Sequence, residues 1–238
     1  LIMARKGSDD VISRQNLRLV KNKPLLYYIV KTALKFKKAD VLVSTDSEEI
    51  SELSLLYGAN YIKRPKRLTK NSTSVKEICL DALQKLEKNN IHYEKCLVLH
   101  PKIPLIKIST INTFFKNLEK KESTIFGISD IVDSKLGYEI ETSKKLLKLN
   151  PSKKPLGILN KIVAFNIKQF IKNNGNFVSP FYGLKLSNDE THSLRSYSDF
   201  GTFEQILNRK KILVRIDSTI KIGMGHIFNM LAILNYFR

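Results

Sequence analysis

The sequence predicts an α/β fold: a mostly parallel sheet covered by helices on both faces. Short apolar runs alternate with longer stretches at helical spacing, which is the rhythm of strands joined by crossover helices. Several helical stretches also carry their own start or stop signals. The 238 residues, 42% hydrophobic and 26% charged, suffice for one sizeable core.

The elements follow in order. Leu25 to Phe36 reads as an amphipathic helix, and Val41-Leu42-Val43-Ser44-Thr45 as a short buried strand. Glu48 to Tyr57 is a helix closed by Gly58, a residue suited to the left-handed turn beyond a helix end. Ser74-Val75-Lys76-Glu77 has the capping-box form, ahead of Val75, Ile78, Cys79, Ala82, Leu83 and Leu86 on one face. The strand Cys96 to Leu99, the helix Ser109 to Lys120 and the strand Thr124 to Ile128 continue the alternation. Ile162 to Phe165 and Ile212 to Arg215 repeat the strand signature. Asp133 to Lys154 departs from the pattern as a polar excursion, with a short hairpin expected around Tyr138-Glu139-Ile140. Ligands of such a sheet are expected at the carboxyl ends of its strands.

Composition excludes more than it names. The 41 Lys and Arg against 22 Asp and Glu give a net charge of +19, a balance compatible with nucleic-acid binding. The lysines, however, are spread over nearly every element, without an arginine stripe or interleaved aromatic residues. They are read as a solvated surface that also draws in anionic substrates, not nucleic acid. No run reaches the roughly 18 apolar residues of a membrane span, and the first residues lack signal-peptide order, so the expectation is a cytoplasmic protein without a membrane partner. Cys79 and Cys96 fall on apolar element faces and are expected as buried thiols.

Ala4-Arg5-Lys6-Gly7-Ser8 forms a glycine-containing turn where a first strand hands over to a helix. It is either a plain connection or a phosphate site presenting backbone N–H groups and Arg5. This turn, with Asn16, Lys23-Pro24-Leu25, Ser44-Thr45-Asp46-Ser47-Glu48-Glu49-Ile50, Tyr57-Gly58-Ala59 and Arg64-Pro65, resembles the N-terminal half of the acylneuraminate cytidylyltransferases. The resemblance is specific through about residue 75 and extends in patches to Lys211. It implies a Rossmann-like three-layer nucleotidyltransferase fold, Mg²⁺ as cofactor, and a homodimer. The implied reaction is attack of a sugar acid's anomeric hydroxyl on the α-phosphate of CTP, with loss of pyrophosphate.

Carried over residue by residue, the resemblance assigns Arg5, Gly7, Ser8, Arg14 and Asn16 to CTP, with Arg5 and Arg14 as catalytic candidates. Arg64, Ser74 and His100 join the nucleotide site, and Asp199 is the metal ligand. Each has a second reading: Asp46 as a helix cap, Arg64 as a surface ion-pair partner, His100 as a hydrogen-bonded histidine, Asp199 as a turn former. The chain departs from the family pattern at Asp9, Asp10 and Gln15, where lysines and the loop's usual length are replaced. It departs again at Ile106, where the family has Arg, and at Gly201, where it has Asp. These departures motivate a rival reading: a non-catalytic scaffold or sugar-nucleotide-binding module of the same fold.

At the other end, Ile212 to Ser218 followed by Ile222-Gly223-Met224-Gly225-His226 resembles the start of the UDP-sugar hydrolases of pseudaminic acid synthesis, with His226 as catalytic-base candidate. The expected organisation is therefore a cytidylyltransferase-like domain over residues 1–211 and the opening of a second sugar-nucleotide domain over 212–238, the chain being read as a fragment. The expected partners are CTP, a nonulosonic acid and a second copy of the chain. In that copy's interface Leu136, Tyr138, Ile140, Leu146 and Leu147 of the excursion would bury.

Overall fold

The computed structural model describes residues 1–7, 11–120, 123–129, 146–148, 157–209 and 228–229. The chain divides into two compact units, Leu1–Ile206 and Leu207–Arg238. All strands among the described residues belong to the first unit. Of the second, only 207–209 and 228–229 are described, so the expected strand at Ile212 to Arg215 and the glycine turn with His226 lie outside the described residues.

The strands are β1 (Ile2–Met3), β2 (Leu19–Val20), β3 (Lys23–Pro24), β4 (Leu42–Thr45), β5 (Asn60–Lys63), β6 (Lys95–Val98), β7 (Thr124–Ser129), β8 (Leu146–Lys148), β9 (Gly157–Asn166) and β10 (Phe181–Lys185). The helices are α1 (Leu25–Ala33), α2 (Glu48–Tyr57), α3 (Val75–Lys88), α4 (Ile108–Lys120), α5 (Ile167–Lys172), α6 (Asn188–Thr191) and α7 (Tyr197–Asn208). Strands β2 and β3 form a separate small hairpin, and the others form one three-stranded and one five-stranded sheet. A parallel bridge from Ile2 to Leu99, with the Met3 amide donating to the Leu99 carbonyl at 3.0 Å, joins the two sheets edge to edge. The combined order is β5, β4, β1, β6, β9, β7, β10, β8. Strands β8 and β9 run against the rest, so the sheet is mostly parallel as expected.

Side-chain alternation explains the three layers. Ile2 and Ala4, Leu97 and Leu99, Ile162 and Ala164 point to one face, where they meet Leu26, Ile29 and Val30 of α1, Ile50 of α2 and Ile111 and Phe114 of α4. Met3, Val98, Val163 and Phe165 point to the other, against Ile78 and Cys79 of α3 and Ile167 and Phe170 of α5. Because the strand period is two, every central strand feeds both cores, which is why its residues read as unbroken apolar runs. Each fully buried Ile or Phe contributes about 1.5–3 kcal/mol, so the two cores together dominate the fold's stabilisation.

Local signals set most boundaries. Helix α2 starts at Ser47, whose hydroxyl accepts the Ile50 amide at 3.4 Å, and stops at Gly58 with φ 93°. The capping box at Ser74 and Glu77 opens α3: Glu77 Oε2 accepts the Ser74 amide at 2.8 Å while the Glu77 amide donates to Ser74 Oγ at 3.2 Å. Helix α1 is shorter than expected, ending at Ala33. Its last turn tightens to i→i+3 bonds, and Phe36 leaves the helix to stack on Phe115, centroids 4.6 Å apart. Cys79 is buried and Cys96 half-buried, both free thiols. The expected hairpin at Tyr138 lies outside the described residues. Leu146–Lys148 of the excursion, however, pairs antiparallel with β10 as the sheet's last strand, so this piece extends the sheet instead of standing apart from it. Among the described residues no helix is long and apolar enough to cross a membrane.

Candidate functional site

A cleft opens at the carboxyl ends of β1, β5 and β6. Its floor and walls include Met3, Arg5, Gln15 and Asn16 from the first strand and loop, Arg64, Leu68, Lys70 and Asn71 from the segment after β5, Thr73, Val75 and Ile78 from the start of α3, and His100, Lys102 and Lys161 from β6 and β9. Five cationic side chains line it and, among the described residues, no carboxylate does. A concave surface of one charge sign focuses a field that concentrates an oppositely charged ligand, here an anion.

The first loop is tied down at several points. Gly7 takes φ 63°, a conformation glycine adopts without strain, and its carbonyl accepts the Arg14 amide at 2.9 Å. Asp46 Oδ1 accepts the Lys6 amide at 2.8 Å, so Asp46 clamps this loop, and the cap of α2 is its neighbour Ser47. The Arg5 guanidinium donates to the Thr69 carbonyl and to Asn71 Oδ1. Asn16 is buried; its Nδ2 donates to the Arg5 carbonyl at 2.7 Å, which fixes the amide orientation. The Oδ1 atom is then left buried without a hydrogen-bond partner in the cleft wall. A buried acceptor with no partner costs about 1–3 kcal/mol, a penalty that a ligand hydroxyl or amino group would remove.

Arg64 is not the surface residue its alternative reading suggested. It is 4% exposed, with Nε donating to Ser44 Oγ at 3.0 Å and Nη2 to the Ser44 carbonyl at 2.7 Å. Burial lowers its pKa to about 10, opposed by the nearby Asp46 carboxylate, so the guanidinium stays charged at neutral pH. His100 lies between cations. Burial, then Lys161, Lys102, Arg64 and Arg5, hold its pKa well below the usual histidine value, and the imidazole is neutral. The Lys102 amide donates to His100 Nδ1 at 3.1 Å, which leaves the proton on Nε2. His100, one of the lining residues, is thus a hydrogen-bond donor through Nε2 and a weak base.

Arg5, Asn16, Arg64 and His100 therefore meet in one cleft. Gly7 closes the loop behind it, and Ser74 sits between the lining residues Thr73 and Val75 with its side chain engaged in the capping box. Arg14 is placed elsewhere. Its left-handed backbone, φ 53°, turns the side chain toward the first turn of α2, where it pairs with Glu49, and it does not line the cleft. Asp199 Oδ2 accepts the Arg195 and Ser196 amides, each at 2.7 Å, and Ser196 Oγ at 2.9 Å. These bonds hold its carboxylate below the usual range against the cost of burial and make it the opening bracket of α7. Ser8, Asp9, Asp10 and His226 lie outside the described residues.

The described residues do not assemble a cage for Mg²⁺. No group of three or more His, Cys, Asp or Glu stands together among them, the cleft lining is cationic, and the Asp199 carboxylate already accepts three hydrogen bonds.

Lys70, Asn71, Lys102 and Lys161 were not singled out from sequence. Lys70 and Asn71 follow a strand at its carboxyl end, a position that marks them in any parallel sheet. Gln15, noted only as a departure, is 3% exposed and donates from Nε2 to the Leu194 carbonyl at 2.8 Å, which docks the segment before α7 onto the cleft rim. Ile106, another departure, is a core residue at 2% exposure.

Two solved structures share this architecture. The structure of a CMP:2-keto-3-deoxy-manno-octonic acid synthetase complexed with CTP superposes with a TM-score of 0.63 at 12% identity, covering 87% of this chain and 96% of that one. The 4-diphosphocytidyl-2C-methyl-D-erythritol synthase of Anaerococcus prevotii does so with a TM-score of 0.60 at 14% identity over 87% and 96%. These likenesses show the fold, an α/β nucleotidyltransferase. In sequence, the CMP-N,N'-diacetyllegionaminic acid synthase of Legionella pneumophila is 24% identical over 220 residues, 87% of this chain and 94% of that protein. The N-acylneuraminate cytidylyltransferase of Escherichia coli is 33% identical over 105 residues, 44% of this chain and 24% of that protein. The pseudaminic acid cytidylyltransferase of Campylobacter jejuni is 28% identical over 124 residues, 51% and 53%. The Cytidylyltransferase family profile matches residues 1–177, which span the first loop, the cleft walls and both cores. The chain belongs to the cytidylyltransferase family.

Proposed function

We propose that this domain transfers CMP from CTP to a nonulosonic acid with release of pyrophosphate. The observation that supports this most is the cleft itself, where Arg5, Arg64, Lys70, Lys102 and Lys161 share the lining with an orphan acceptor, Asn16 Oδ1, and with no carboxylate among the described residues. A triphosphate satisfies the cations, and a nucleoside hydroxyl or amino group satisfies Asn16. The sugar-acid half rests on the names of three relatives in sequence, which are enzymes of legionaminic, neuraminic and pseudaminic acids.

In this reading the acid's anomeric hydroxyl oxygen attacks the α-phosphorus, forming the new P–O bond as the bond to pyrophosphate breaks. The protein's part is positioning and charge. Arg5, braced on Thr69 and Asn71, and Arg64, braced on Ser44, present fixed cations where negative charge builds on the leaving group. Mg²⁺ enters the proposal as a companion of the triphosphate, not as a resident held by the described residues.

Pyrophosphate release tests the proposal. Sialic, legionaminic and pseudaminic acids are each supplied with CTP and Mg²⁺, and product is expected only when CTP and an acceptor acid are both present. Arg5→Ala should slow it by about ten- to a hundredfold, the worth of a charge-assisted hydrogen-bond set. Absence of both turnover and CTP binding in the unaltered chain would leave the non-catalytic scaffold as the better account.

A further inference from the structure

Two thiols meet behind the cleft wall. Cys79, on α3, is at 0% exposure, and Cys96, on β6, packs half-buried against the same core, which also holds Val98, Val163 and Phe165. Cys79 donates its S–H to the Cys96 sulfur. That bond holds Cys96 below the ordinary thiol pKa against the cost of burial, and raises Cys79 in return. The accepting sulfur is the readier thiolate, and the thiolate is the nucleophile. Cys96 also lines a pocket at the amino ends of the strands, together with Leu83, Leu86, Tyr93 and Ile167. A small uncharged oxidant can reach its sulfur that way.

Both elements also carry cleft residues. Cys79 follows the lining residue Ile78 and stands one helical turn beyond Val75, another lining residue, and the Arg64 guanidinium is near enough to act on its thiol. Cys96 lies four residues before His100. Strand β6 is held in unbroken register by β9, from Lys95–Asn166 to Val98–Val163, although β9 bulges on its far side, where Asn160, Lys161 and Ile162 are extra against β7. A disulfide bond, at about 2 Å, is shorter than a thiol–thiol hydrogen bond, so forming one draws the two sulfurs together. The laddered strand stays, and α3 yields. Its first turn moves with it, and Thr73, Val75 and Ile78 shift in the cleft wall.

We propose that Cys96 and Cys79 form a redox site in which a peroxide closes a disulfide between β6 and α3 and thereby weakens nucleotide binding in the cleft. The Cys96 thiolate attacks one peroxide oxygen; the S–O bond forms as the O–O bond breaks, and the leaving hydroxide takes up the proton that Cys96 gave up. Cys79 then attacks the sulfur of the Cys96 sulfenic acid. The S–S bond forms, the S–O bond breaks, and the departing hydroxide leaves as water with the Cys79 proton. Two electrons pass from the sulfurs to the peroxide, which ends as two waters. The nucleotide half of the proposal rests on the reading above, and the thiol chemistry does not.

The test treats the folded, unaltered chain with hydrogen peroxide, maps its peptides, and measures CTP binding by calorimetry before and after dithiothreitol. A Cys79–Cys96 peptide linked within one chain is expected. CTP affinity should fall by about fivefold or more, the worth of one hydrogen bond, and return with dithiothreitol. That reversal separates the disulfide from oxidation of Met3 in the cleft lining, which dithiothreitol does not undo. In Cys79→Ala the reaction should stop at a Cys96 sulfenic acid that dimedone traps, and in Cys96→Ala no thiol-dependent change should remain. The proposal is overturned if the folded chain yields no linked peptide, if the thiols link only between chains, or if the disulfide-closed chain binds CTP as tightly as the reduced one. Failure of the reduced chain to bind CTP would break the nucleotide reading, and the linked peptide alone would then decide the thiol site.

Discussion

The two ends of the same sheet have opposite characters. At the carboxyl ends the strands run out into a polar cleft lined by arginines and lysines. At the amino ends lies a pocket lined chiefly by Ile2, Ala33, Phe36, Val41, Leu97, Ile111 and Phe115. Its polar rim includes Asp40 and Tyr93, whose hydroxyl donates to Asp40 Oδ2 at 2.7 Å; burial and then this bond push the tyrosine up to about 12. The apolar pocket gathers no comparable cluster of cations. In a largely parallel sheet every segment that follows a strand arrives at one end, so polar side chains from distant stretches of sequence converge there, and the other end is left to packing.

That division predicts separable losses. Leu97→Ala removes a buried side chain from the amino-end pocket and should lower unfolding free energy by about 2–5 kcal/mol, while CTP affinity of the folded fraction holds. Arg64→Met should behave in the opposite sense, weakening CTP binding by about 1.5–3 kcal/mol, or roughly ten- to a hundredfold. Denaturant melts alongside calorimetry would read both. If Leu97→Ala weakened CTP binding as much as Arg64→Met, the two ends would have to be treated as one cooperative site.

A smaller effect concerns acid. His100 is held neutral when folded, whereas in the unfolded chain it takes up a proton near its usual pKa of about 6.5. The sign follows: this contribution to stability is complete above about pH 6.5 and is lost as pH falls below it, by up to about 1.4 kcal/mol per pH unit. His100→Gln keeps a hydrogen-bonding side chain without the titration. Its melting temperature should fall less steeply than the unaltered protein's between pH 6.5 and 5, and equal slopes would remove His100 from the acid limb.

The smallest expected effect lies outside both ends. Gly201 sits within α7 with nothing within 4 Å of where a Cβ would be. Gly201→Ala should therefore raise stability by about 0.5–1 kcal/mol, through helix propensity alone. A thermal melt that moved down would show a contact the open space does not suggest.

Legibility in the sequence followed the range of the interactions. The α2 stop at Gly58 and the capping box at Ser74 depend on residues within a few positions, and both were readable. Arg5, Asn16, Arg64 and His100 were singled out by resemblance and not by spacing, and the fold brings the four to one cleft. Arg14 was misplaced because its direction is set by a left-handed backbone and by Glu49, which no spacing rule connects to it. Asp199 looked like a ligand beside Gly201. Its occupation by the Arg195 and Ser196 amides, however, is a matter of loop geometry. Lys161 gave no signal at all, since a bulge arises from the pairing of two strands more than thirty residues apart and from the missing side chain of Gly127.

That bulge also bears on how the domain could change over time. On one side β9 holds its register with β6 without a break, and on the other the pairing with β7 simply resumes after the extra residues. The three extra residues are Asn160, Lys161 and Ile162, and an insertion at the first two would be absorbed locally, leaving the buried run from Ile162 to Phe165 in place. The β9 side of the cleft can therefore be remodelled by changes in length as well as by substitution, without first unsettling the core.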